Sequence, residues 1–232
     1  MPAQVTFDAT FVTLDGTSRH PVTITKAVVG GWTGRDKAAL QHHIDELARI
    51  GVTPPATTPL FYRVGVSRLT VADAIEVIGD GSSGEVEYVL LMLDGRLWVG
   101  AGSDHTDRVV EHMGITVAKQ LCDKPVATTF WPLAEVEGHW AELGLRSFID
   151  EGGARVLYQD GRVASLLSPA ELLAEYRKAG NEMQDGTLMF GGTCGAIGAV
   201  RYAPRFELEL VDPVLNRRIS HGYHVVPVPI MG

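Results

Sequence analysis

The sequence predicts an α+β protein in which β-strands predominate, and three observations lead to this prediction. Short apolar runs that alternate with polar residues recur along the chain, as they do in half-buried strands. Asp-Gly pairs at residues 94–95 and 160–161 lie between such runs and are typical of hairpin turns. Residue patterns that predict helices are confined to three segments, at about residues 35–50, 106–113 and 168–180.

The composition is that of an acidic globular domain. Of the 232 residues, 45% are hydrophobic and 21% are charged, and the formal net charge is -8 at pH 7. Because no Lys/Arg cluster interrupts this negative charge, binding to nucleic acid or to an anionic membrane is not expected. We expect a single domain over residues 1–232, in which residues 1–30 form an N-terminal β segment.

Cysteine usage and the first residues of the sequence indicate a cytoplasmic protein. Cys122 and Cys194 are far apart and neither has a CxxC partner, so neither a disulfide framework nor a zinc knuckle is indicated. The N-terminus lacks the basic start and apolar core of a signal peptide. No apolar run approaches the ~20 residues that span a bilayer. We therefore expect a soluble protein with no membrane partner.

The N-terminal part combines β-structure with the first helix. Residues 3–29 contain two apolar runs separated by a turn at residues 15–18, which indicates a hairpin or small sheet. In the helix predicted next, over about residues 35–50, the apolar stripe includes His43. Glu46 follows three residues later, within helical reach of His43. On spacing alone, this pair fits a histidine at the edge of the core beside a solvated glutamate.

The strongest chemical signal is a group of three carboxylates. Glu85 and Glu87 stand two apart at the start of a predicted strand, so their side chains project from the same face. The Asp94-Gly95 turn leads into a second strand, which brings Asp104 back to the start of the first. Like charges repel, whereas a hard cation such as Mg2+ prefers carboxylate oxygens. The alternative is that Glu85 and Glu87 line the solvated face of an edge strand.

Further charged residues follow these two strands. In the short predicted helix after them, Arg108 and Glu111 form an i,i+3 pair. Lys124 precedes a proline and so lies in an extended segment, which can point Lys124 and Thr128 together toward the carboxylates. The alternative for Lys124 is a surface lysine paired with Asp123.

The C-terminal part contains one well-marked helix and a glycine-rich turn. Ser168 is the predicted N-cap, Glu171 completes a capping box and Gly180 ends the helix. The turn at residues 191–198 offers backbone N–H groups to an anion, but it lacks the Gly-Lys-Ser/Thr ending of a nucleotide-binding loop. Buried or alternating strands are expected at residues 187–190, 206–210 and 216–232.

The order of these pieces resembles the fumarylacetoacetate hydrolase superfamily, whose members are mixed β-roll enzymes that act on 2-oxo acids. The resemblance covers about residues 34–200, with five pieces in the family's order. These pieces are His43-Ile44-Asp45-Glu46 with the later Phe61, Glu85-Val86-Glu87, Ser103-Asp104-His105-Thr106-Asp107-Arg108, Lys124 and Thr128 before Phe130-Trp131-Pro132, and Asp185-Gly186-Thr187 with Gly192-Thr193 and the glycines of residues 195–198.

The resemblance implies a fold, a cofactor and a set of site residues. The implied fold is a fumarylacetoacetate hydrolase-like mixed β-roll with a few peripheral helices, in which residues 34–200 form the core that carries the site. The implied cofactor is Mg2+, or else Mn2+ or Ca2+, and the implied assembly is a homodimer. The assigned residues are the metal ligands Glu85, Glu87 and Asp104, the catalytic residues His43, Glu46 and Lys124, and the substrate-binding residues Arg108, Glu111, Thr128, Gly192 and Thr193.

Three residues depart from the family pattern. Ser103 stands where asparagine is usual, Asp107 where a small residue is usual, and Glu111 where glutamine is frequent. Asp107 and Glu111 add negative charge near the place where a substrate anion would bind, so they affect the identity of the substrate more than the metal site. The chain is therefore expected to belong to a divergent, bacterial-type branch.

The implied activity is metal-dependent hydrolysis of a carbon-carbon bond in an acylpyruvate-like 2-oxo acid. In this reaction His43, oriented by Glu46, takes a proton from water, and Lys124 adds positive charge at the 2-oxo oxygen. If that water is not activated, the same site supports decarboxylation, hydration or isomerisation instead. A catalytically silent small-molecule-binding protein on the same scaffold is a further alternative. The expected partner is a small carboxylic acid.

Overall fold

A computed structural model describes residues 3–49 and 54–231, except for the side chains at positions 43, 46 and 47. It confirms an α+β architecture dominated by strands. The strands are β1 Val5–Thr13, β2 Gly16–Ile24, β3 Lys26–Gly31, β4 Leu60–Val64, β5 Leu69–Thr70, β6 Ala74–Ile78, β7 Ser82–Ser83, β8 Val86–Leu93, β9 Arg96–Ser103, β10 Thr106–Asp107, β11 Lys124–Pro125, β12 Thr129–Pro132, β13 Gly144–Glu151, β14 Ala154–Arg162, β15 Thr187–Thr193, β16 Arg205–Asp212 and β17 Arg217–Val228.

The helices are short and few among the described residues. Four are α-helices: α1 Lys37–Arg49, α2 Ile115–Leu121, α3 Leu133–Val136 and α4 Pro169–Lys178. Four are 3-10 helices: Val66–Arg68, Glu111–Met113, Glu137–Glu142 and Val163–Ser165. None of the described helices is long and apolar enough to cross a bilayer.

The strands form two large sheets and two small pairs. The larger sheet has eight strands in the order β2-β1-β12-β9-β8-β15-β3-β4, and the other has five in the order β14-β13-β16-β17-β6. The pairs β10-β7 and β11-β5 lie outside these sheets. Strand β8 is hydrogen-bonded to β9 on one side and to β15 on the other, so it is a central strand of the larger sheet.

The two faces of the eight-stranded sheet bury two separate apolar clusters. On β8, Tyr88 and Leu90 join a cluster that extends to the five-stranded sheet through residues such as Leu208. Val89 and Leu91 point the other way, into a cluster formed mostly within the larger sheet. Alternate side chains of a strand project to opposite faces, so a strand that is apolar on both faces is buried on both. This arrangement holds the start of β8 in the protein interior.

A tight hairpin joins β8 and β9, as the Asp-Gly pair predicts. Asp94 and Gly95 both have positive φ, 51° and 69°, the backbone that a two-residue type I′ turn requires. The resulting register places Glu87 opposite Gly102 and Val86 opposite Ser103. The pairing ends with a hydrogen bond from the Asp104 N–H to the Glu85 carbonyl at 3.0 Å.

The predicted helices at residues 35–50 and 168–180 are confirmed. Asp36 caps α1, because its Oδ1 accepts hydrogen bonds from the N–H groups of Ala38 and Ala39 at 2.9 and 3.0 Å. In α4 both hydrogen bonds of the capping box between Ser168 and Glu171 are present. The predicted strands near residues 187–190, 206–210 and 216–232 correspond to β15, β16 and β17.

The hairpin turn predicted at Asp160-Gly161 is wrong. Both residues lie inside β14, and the chain reverses instead at Gly152 and Gly153, whose φ angles are 64° and 86°. Gly161 serves packing, because a Cβ there would lie 2.5 Å from the Cβ of Cys194. The glycine of an Asp-Gly pair can thus either form a turn or lie within a strand where another segment packs closely against it.

The short helix predicted over residues 106–113 is also wrong in most of its length. Thr106 and Asp107 form β10, which pairs with β7. Asp107 Oδ1 then accepts hydrogen bonds from the N–H groups of Val109 and Val110. Bonds of this kind also cap helix α1, but here residues 108–110 form only a turn and are followed by the 3-10 turn Glu111–Met113.

Candidate metal centre

Three carboxylates converge where β8 begins and β9 ends. Glu85, Glu87 and Asp104 each offer an oxygen, and these oxygens all lie within 4.8 Å of one another. The solvent-exposed fraction is 2% for Glu87 and 0% for Asp104, while Glu85 is partly buried. Because β8 is a central strand, these carboxylates do not line the solvated face of an edge strand.

Burial and charge perturb the two innermost carboxyl groups in opposite directions. The pKa of Glu87 is raised well above its usual value by burial, and the charges of Asp104 and Glu85 raise it further. Burial also acts to raise the pKa of Asp104, but the ammonium groups of Lys119 and Lys124 outweigh it and lower that pKa to about 2. The cluster therefore strongly favours a nearby cation.

Lys119 on α2 is the site residue that the sequence patterns miss. Its Nζ donates a hydrogen bond to Asp104 Oδ2 and lies 3.9 Å from Glu85 Oε2. The side chain is buried, and its ammonium lies 5.8 Å from the centroid of the Tyr62 ring. Helix α2 is not predicted from the sequence, and no motif spacing connects Lys119 to the carboxylates, so no sequence signal could have found it.

Lys124 lies beside the carboxylates, where the resemblance puts it. Its Nζ is 3.2 Å from Asp104 Oδ1 and donates a hydrogen bond to the backbone carbonyl of His105. The side chain is completely buried. The alternative of a surface pair with Asp123 is wrong, because Asp123 pairs with Arg68 at 3.3 Å.

Arg108 and Glu111 form the predicted ion pair, and Arg108 also holds a carboxylate of the cluster. The Arg108 guanidinium lies 3.2 Å from Glu111 and 2.9 Å from Glu85 Oε1. Its Nε donates to Ser83 Oγ at 2.8 Å. Burial acts to lower the pKa of Arg108, but Glu85 and Glu111 outweigh it and raise that pKa. These contacts orient Glu85.

Gly192 and Thr193, at the end of β15, also make contacts within the protein. The Gly192 N–H donates to Glu87 Oε2 at 2.7 Å. The Thr193 hydroxyl donates to the Val86 carbonyl at 2.8 Å and accepts a hydrogen bond from Gln159 Nε2. Both contacts secure the start of β8 and the orientation of Glu87.

The remaining predicted residues are less closely tied to the carboxylates. Thr128 lies just before β12, where its backbone carbonyl accepts a hydrogen bond from the Thr10 N–H at 2.7 Å. His43 and Glu46 belong to α1, but their side chains lie outside the described part of the chain. Their catalytic assignment stays a prediction.

A buried hydrogen-bond chain supports the cluster from behind. The Tyr223 hydroxyl donates to Ser103 Oγ at 2.8 Å, so its oxygen accepts from His105 Nδ1 at 2.9 Å. His105 Nε2 then accepts from Ser82 Oγ at 2.9 Å. Burial, together with the charges of Lys124 and Arg108, lowers the pKa of His105 to about 3. A neutral histidine thus joins β7, β17 and the Asp104 segment.

Tyr62 on β4 is a second site residue that the sequence patterns miss. Its hydroxyl accepts a hydrogen bond from the Trp32 indole at 3.0 Å. Burial raises the pKa of Tyr62, while the nearby charge of Lys119 acts to lower it. Because Trp32 donates, the Tyr62 O–H remains able to donate to a bound molecule.

The donor set fits a hard divalent cation. All three groups are carboxylates, the ligands that Mg2+, Mn2+ and Ca2+ prefer. Asp104 Oδ1 is buried and lies 3.2 Å from the Lys124 ammonium, but it accepts no hydrogen bond of good geometry, so an anionic oxygen is left incompletely satisfied. A cation bound there would satisfy this oxygen and relieve the repulsion between Glu87 and its neighbours.

Comparisons place the chain beside one sequence family and several solved structures. The family described as "Protein of unknown function (DUF2848)" matches residues 30–223. No curated protein matches the sequence. One similar structure is fumarylpyruvate hydrolase from Pseudomonas aeruginosa in complex with Mn2+ and pyruvate, with a TM-score of 0.64, 17% identity and coverage of 95% of this chain and 97% of that chain. A second is Cg1458 with an inhibitor, with a TM-score of 0.66, 14% identity and coverage of 93% of this chain and 82% of that chain. A third is yeast ynq8, a fumarylacetoacetate hydrolase family protein, with a TM-score of 0.62, 15% identity and coverage of 90% of this chain and 95% of that chain. The chain therefore has the fold of fumarylacetoacetate hydrolase proteins.

Proposed function

The chain belongs to the DUF2848 family, and from its buried carboxylates we propose that it is a divalent-metal-dependent hydrolase that cleaves a carbon-carbon bond in an acylpyruvate-like 2-oxo acid. The observation that carries this proposal is the convergence of Glu85, Glu87 and Asp104 within 4.8 Å in the protein interior. The shared fold with a fumarylpyruvate hydrolase that was solved with Mn2+ and pyruvate supports both the ion and the substrate class.

The three carboxylates would hold Mg2+, Mn2+ or Ca2+. When bound, the cation would supply Lewis-acid catalysis by polarising oxygens of the 2-oxo acid. The other residues keep the ligands in place: Arg108 orients Glu85 and the Gly192 N–H orients Glu87. Lys124 contributes a buried positive charge beside Asp104, which favours an anionic substrate.

Hydrolysis requires an activated water molecule. We assign this step to His43, oriented by Glu46, because a histidine can accept a proton near neutral pH. The water oxygen bonds to the acyl carbon, the bond from that carbon to C3 of the pyruvate unit breaks, and C3 takes the electron pair and a proton. The products are pyruvate and a free carboxylic acid.

Substrate binding is assigned to residues around the cluster. Thr128, Thr193, Glu111 and Tyr62 are the proposed contacts for the part of the acid beyond its 2-oxo group. Glu111 carries a negative charge next to Arg108, so we expect it to disfavour a second substrate carboxylate there. We further propose that the protein works as a homodimer in the cytoplasm.

The test combines metal titration with product analysis. The metal-stripped protein is titrated with Mg2+ and Mn2+ in a calorimeter, and the loaded protein is then incubated with acylpyruvates and, separately, with oxaloacetate. Pyruvate plus a free acid from an acylpyruvate would support hydrolysis, whereas bicarbonate release from oxaloacetate alone would assign a decarboxylase. His43→Ala should retain metal affinity and lose hydrolysis. Failure of the wild-type protein to bind either ion would contradict the proposal.

A further inference from the structure

Lys119 contacts two of the three carboxylates of the candidate metal centre. Its Nζ donates to Asp104 Oδ2 and stands 3.9 Å from Glu85 Oε2. Burial acts to lower the pKa of Lys119, but the charges of Asp104, Glu85 and Glu87 outweigh it and raise that pKa. The ammonium is thus attracted by the same three groups that form the candidate metal centre.

The two neighbouring cations each contact one carboxylate of the cluster and also have a partner outside it. Arg108 lies between Glu85 and Glu111, and Lys124 donates to the His105 carbonyl while it faces the other oxygen of Asp104. Lys119 is the group that contacts Asp104 Oδ2 and Glu85 Oε2 at once. A buried carboxylate cluster needs such a charge to be stable.

We infer that Lys119 is an internal counter-ion of the carboxylate cluster, and that a divalent ion binds Glu85, Glu87 and Asp104 only by displacing its ammonium. This inference rests on the proposed function, since it takes the cluster to be a metal site. Two cations cannot share one set of carboxylate oxygens without repulsion. The lysine therefore lowers the affinity of the centre for metal and keeps the metal-free protein folded.

The Tyr62 ring already contacts the ammonium and would still attract it once it leaves the carboxylates. The Tyr62 ring faces Lys119, with 5.8 Å between Nζ and the ring centroid. An aromatic face attracts an ammonium group at this range. Lys119 is on a short helix that follows Gly114, and its flexible four-carbon side chain lets the charge move while the helix stays in place.

The first experiment compares metal affinities of the full chain. Lys119→Met removes the charge and keeps a long apolar side chain, so it should bind Mn2+ at least about tenfold more tightly than the wild type, as expected for two mutually exclusive cations. Lys178→Met is the matched control, because Lys178 is exposed and pairs with Glu175 on α4. It removes one positive charge from the protein and should leave the affinity unchanged.

A second measurement uses the wild-type protein and so does not depend on the folding of the variant. Lysines are acetylated with an N-hydroxysuccinimide ester, and the labelled peptides are quantified by mass spectrometry with and without Mn2+. Displacement should expose Lys119 and raise its labelling severalfold, while labelling of Lys178 stays constant. Unchanged labelling of Lys119 at saturating Mn2+ would overturn the inference.

The outcomes separate this inference from the proposed function. Tighter binding by Lys119→Met, or binding by that variant alone, supports the counter-ion. If Lys119→Met binds Mn2+ no more tightly than the wild type, and the wild type binds it clearly, the counter-ion inference is overturned and the metal centre is retained. Absence of Mn2+ binding in both proteins, each folded, overturns the metal centre and the counter-ion with it.

Discussion

Gly192 donates its backbone N–H to Oε2 of Glu87 at 2.7 Å, and this bond joins the glycine-rich end of β15 to the carboxylate cluster. Gly192 has a φ of +111°, and a Cβ at this position would lie 1.9 Å from Thr33 Oγ1. Only glycine can therefore bring a backbone donor this close to Glu87. The glycine turn serves a carboxylate of the protein, where the sequence suggested an external anion.

The charge of Glu87 is expected to be essential for metal binding and dispensable for folding. Glu87→Gln retains an oxygen that can accept from Gly192 but removes a desolvated charge. Its affinity for Mn2+ should fall more than about 100-fold, since even loss of an outer partner typically costs about 10- to 100-fold. Its free energy of unfolding without metal should stay within about 1 kcal/mol of the wild-type value. Calorimetric titration and denaturant unfolding measure the two effects, with the exposed Glu76→Gln as control; retained affinity in Glu87→Gln would rule out the site.

Arg108 should contribute strongly to stability because it is largely buried between two carboxylates. Arg108→Met leaves Glu85 and Glu111 without their shared partner. We expect the free energy of unfolding to fall by about 3 kcal/mol, as for a broken buried ion pair. The control is Arg19→Met, which removes an exposed pair with Asp8 and should cost less than about 1 kcal/mol. Equal losses in the two variants, measured by urea unfolding, would show that the ion pairs of Arg108 stabilise the fold no more than an exposed pair does.

The Tyr223 hydroxyl should contribute to the stability of the fold because it lies in the middle of a buried chain of hydrogen bonds. Tyr223→Phe leaves His105 Nδ1 without its acceptor and removes one of the two donors to Ser103 Oγ, the other being the Glu85 N–H. The expected loss in unfolding free energy is about 1 to 3 kcal/mol. The half-exposed Tyr202→Phe removes the same atom from the surface and should be neutral. An unchanged free energy of unfolding in Tyr223→Phe would show that this chain of hydrogen bonds adds no net stability.

A second ion-pair network, away from the metal centre, should control stability in acid. Asp212 is buried and accepts hydrogen bonds from Arg217, from His139 and from the backbone N–H of Leu215. Burial acts to raise the pKa of Asp212, but these contacts outweigh it and lower that pKa. A carboxyl group whose pKa is lower in the folded state stabilises the protein above its unfolded pKa, and this contribution is lost as the pH falls through the folded value.

Asp212→Asn tests this pH dependence. At pH 7 the variant should be less stable than the wild type by about 2 kcal/mol, the scale of hydrogen bonds to a charged group. The difference should shrink as the pH falls below about 4, where the unfolded carboxyl is protonated. Thermal unfolding of both proteins from pH 3 to pH 7 measures it. A difference that is constant over this range would exclude the ionised form as its cause.

Local sequence patterns predicted those elements whose signals are themselves local. The Asp94-Gly95 hairpin, the Ser168 capping box of α4 and the strand β16 each depend on neighbouring residues. The wrong predictions were made where a local pattern is compatible with two different structures. Asp160-Gly161 lies within a strand because Gly161 packs against Cys194, and Thr106 and Asp107 pair with β7 where a helix is predicted.

The sequence by itself determined which residue types are available near the candidate centre. It placed Glu85 and Glu87 on one face of a strand and Asp104 across a tight hairpin, because strand alternation and turn geometry act over few residues. The tertiary structure alone decided that Lys119, Tyr62 and Tyr223 join them. These residues come from α2, β4 and β17, and no periodicity connects such distant segments. Their positions follow from packing between sheets, which brings charges together over distances that a linear pattern cannot encode.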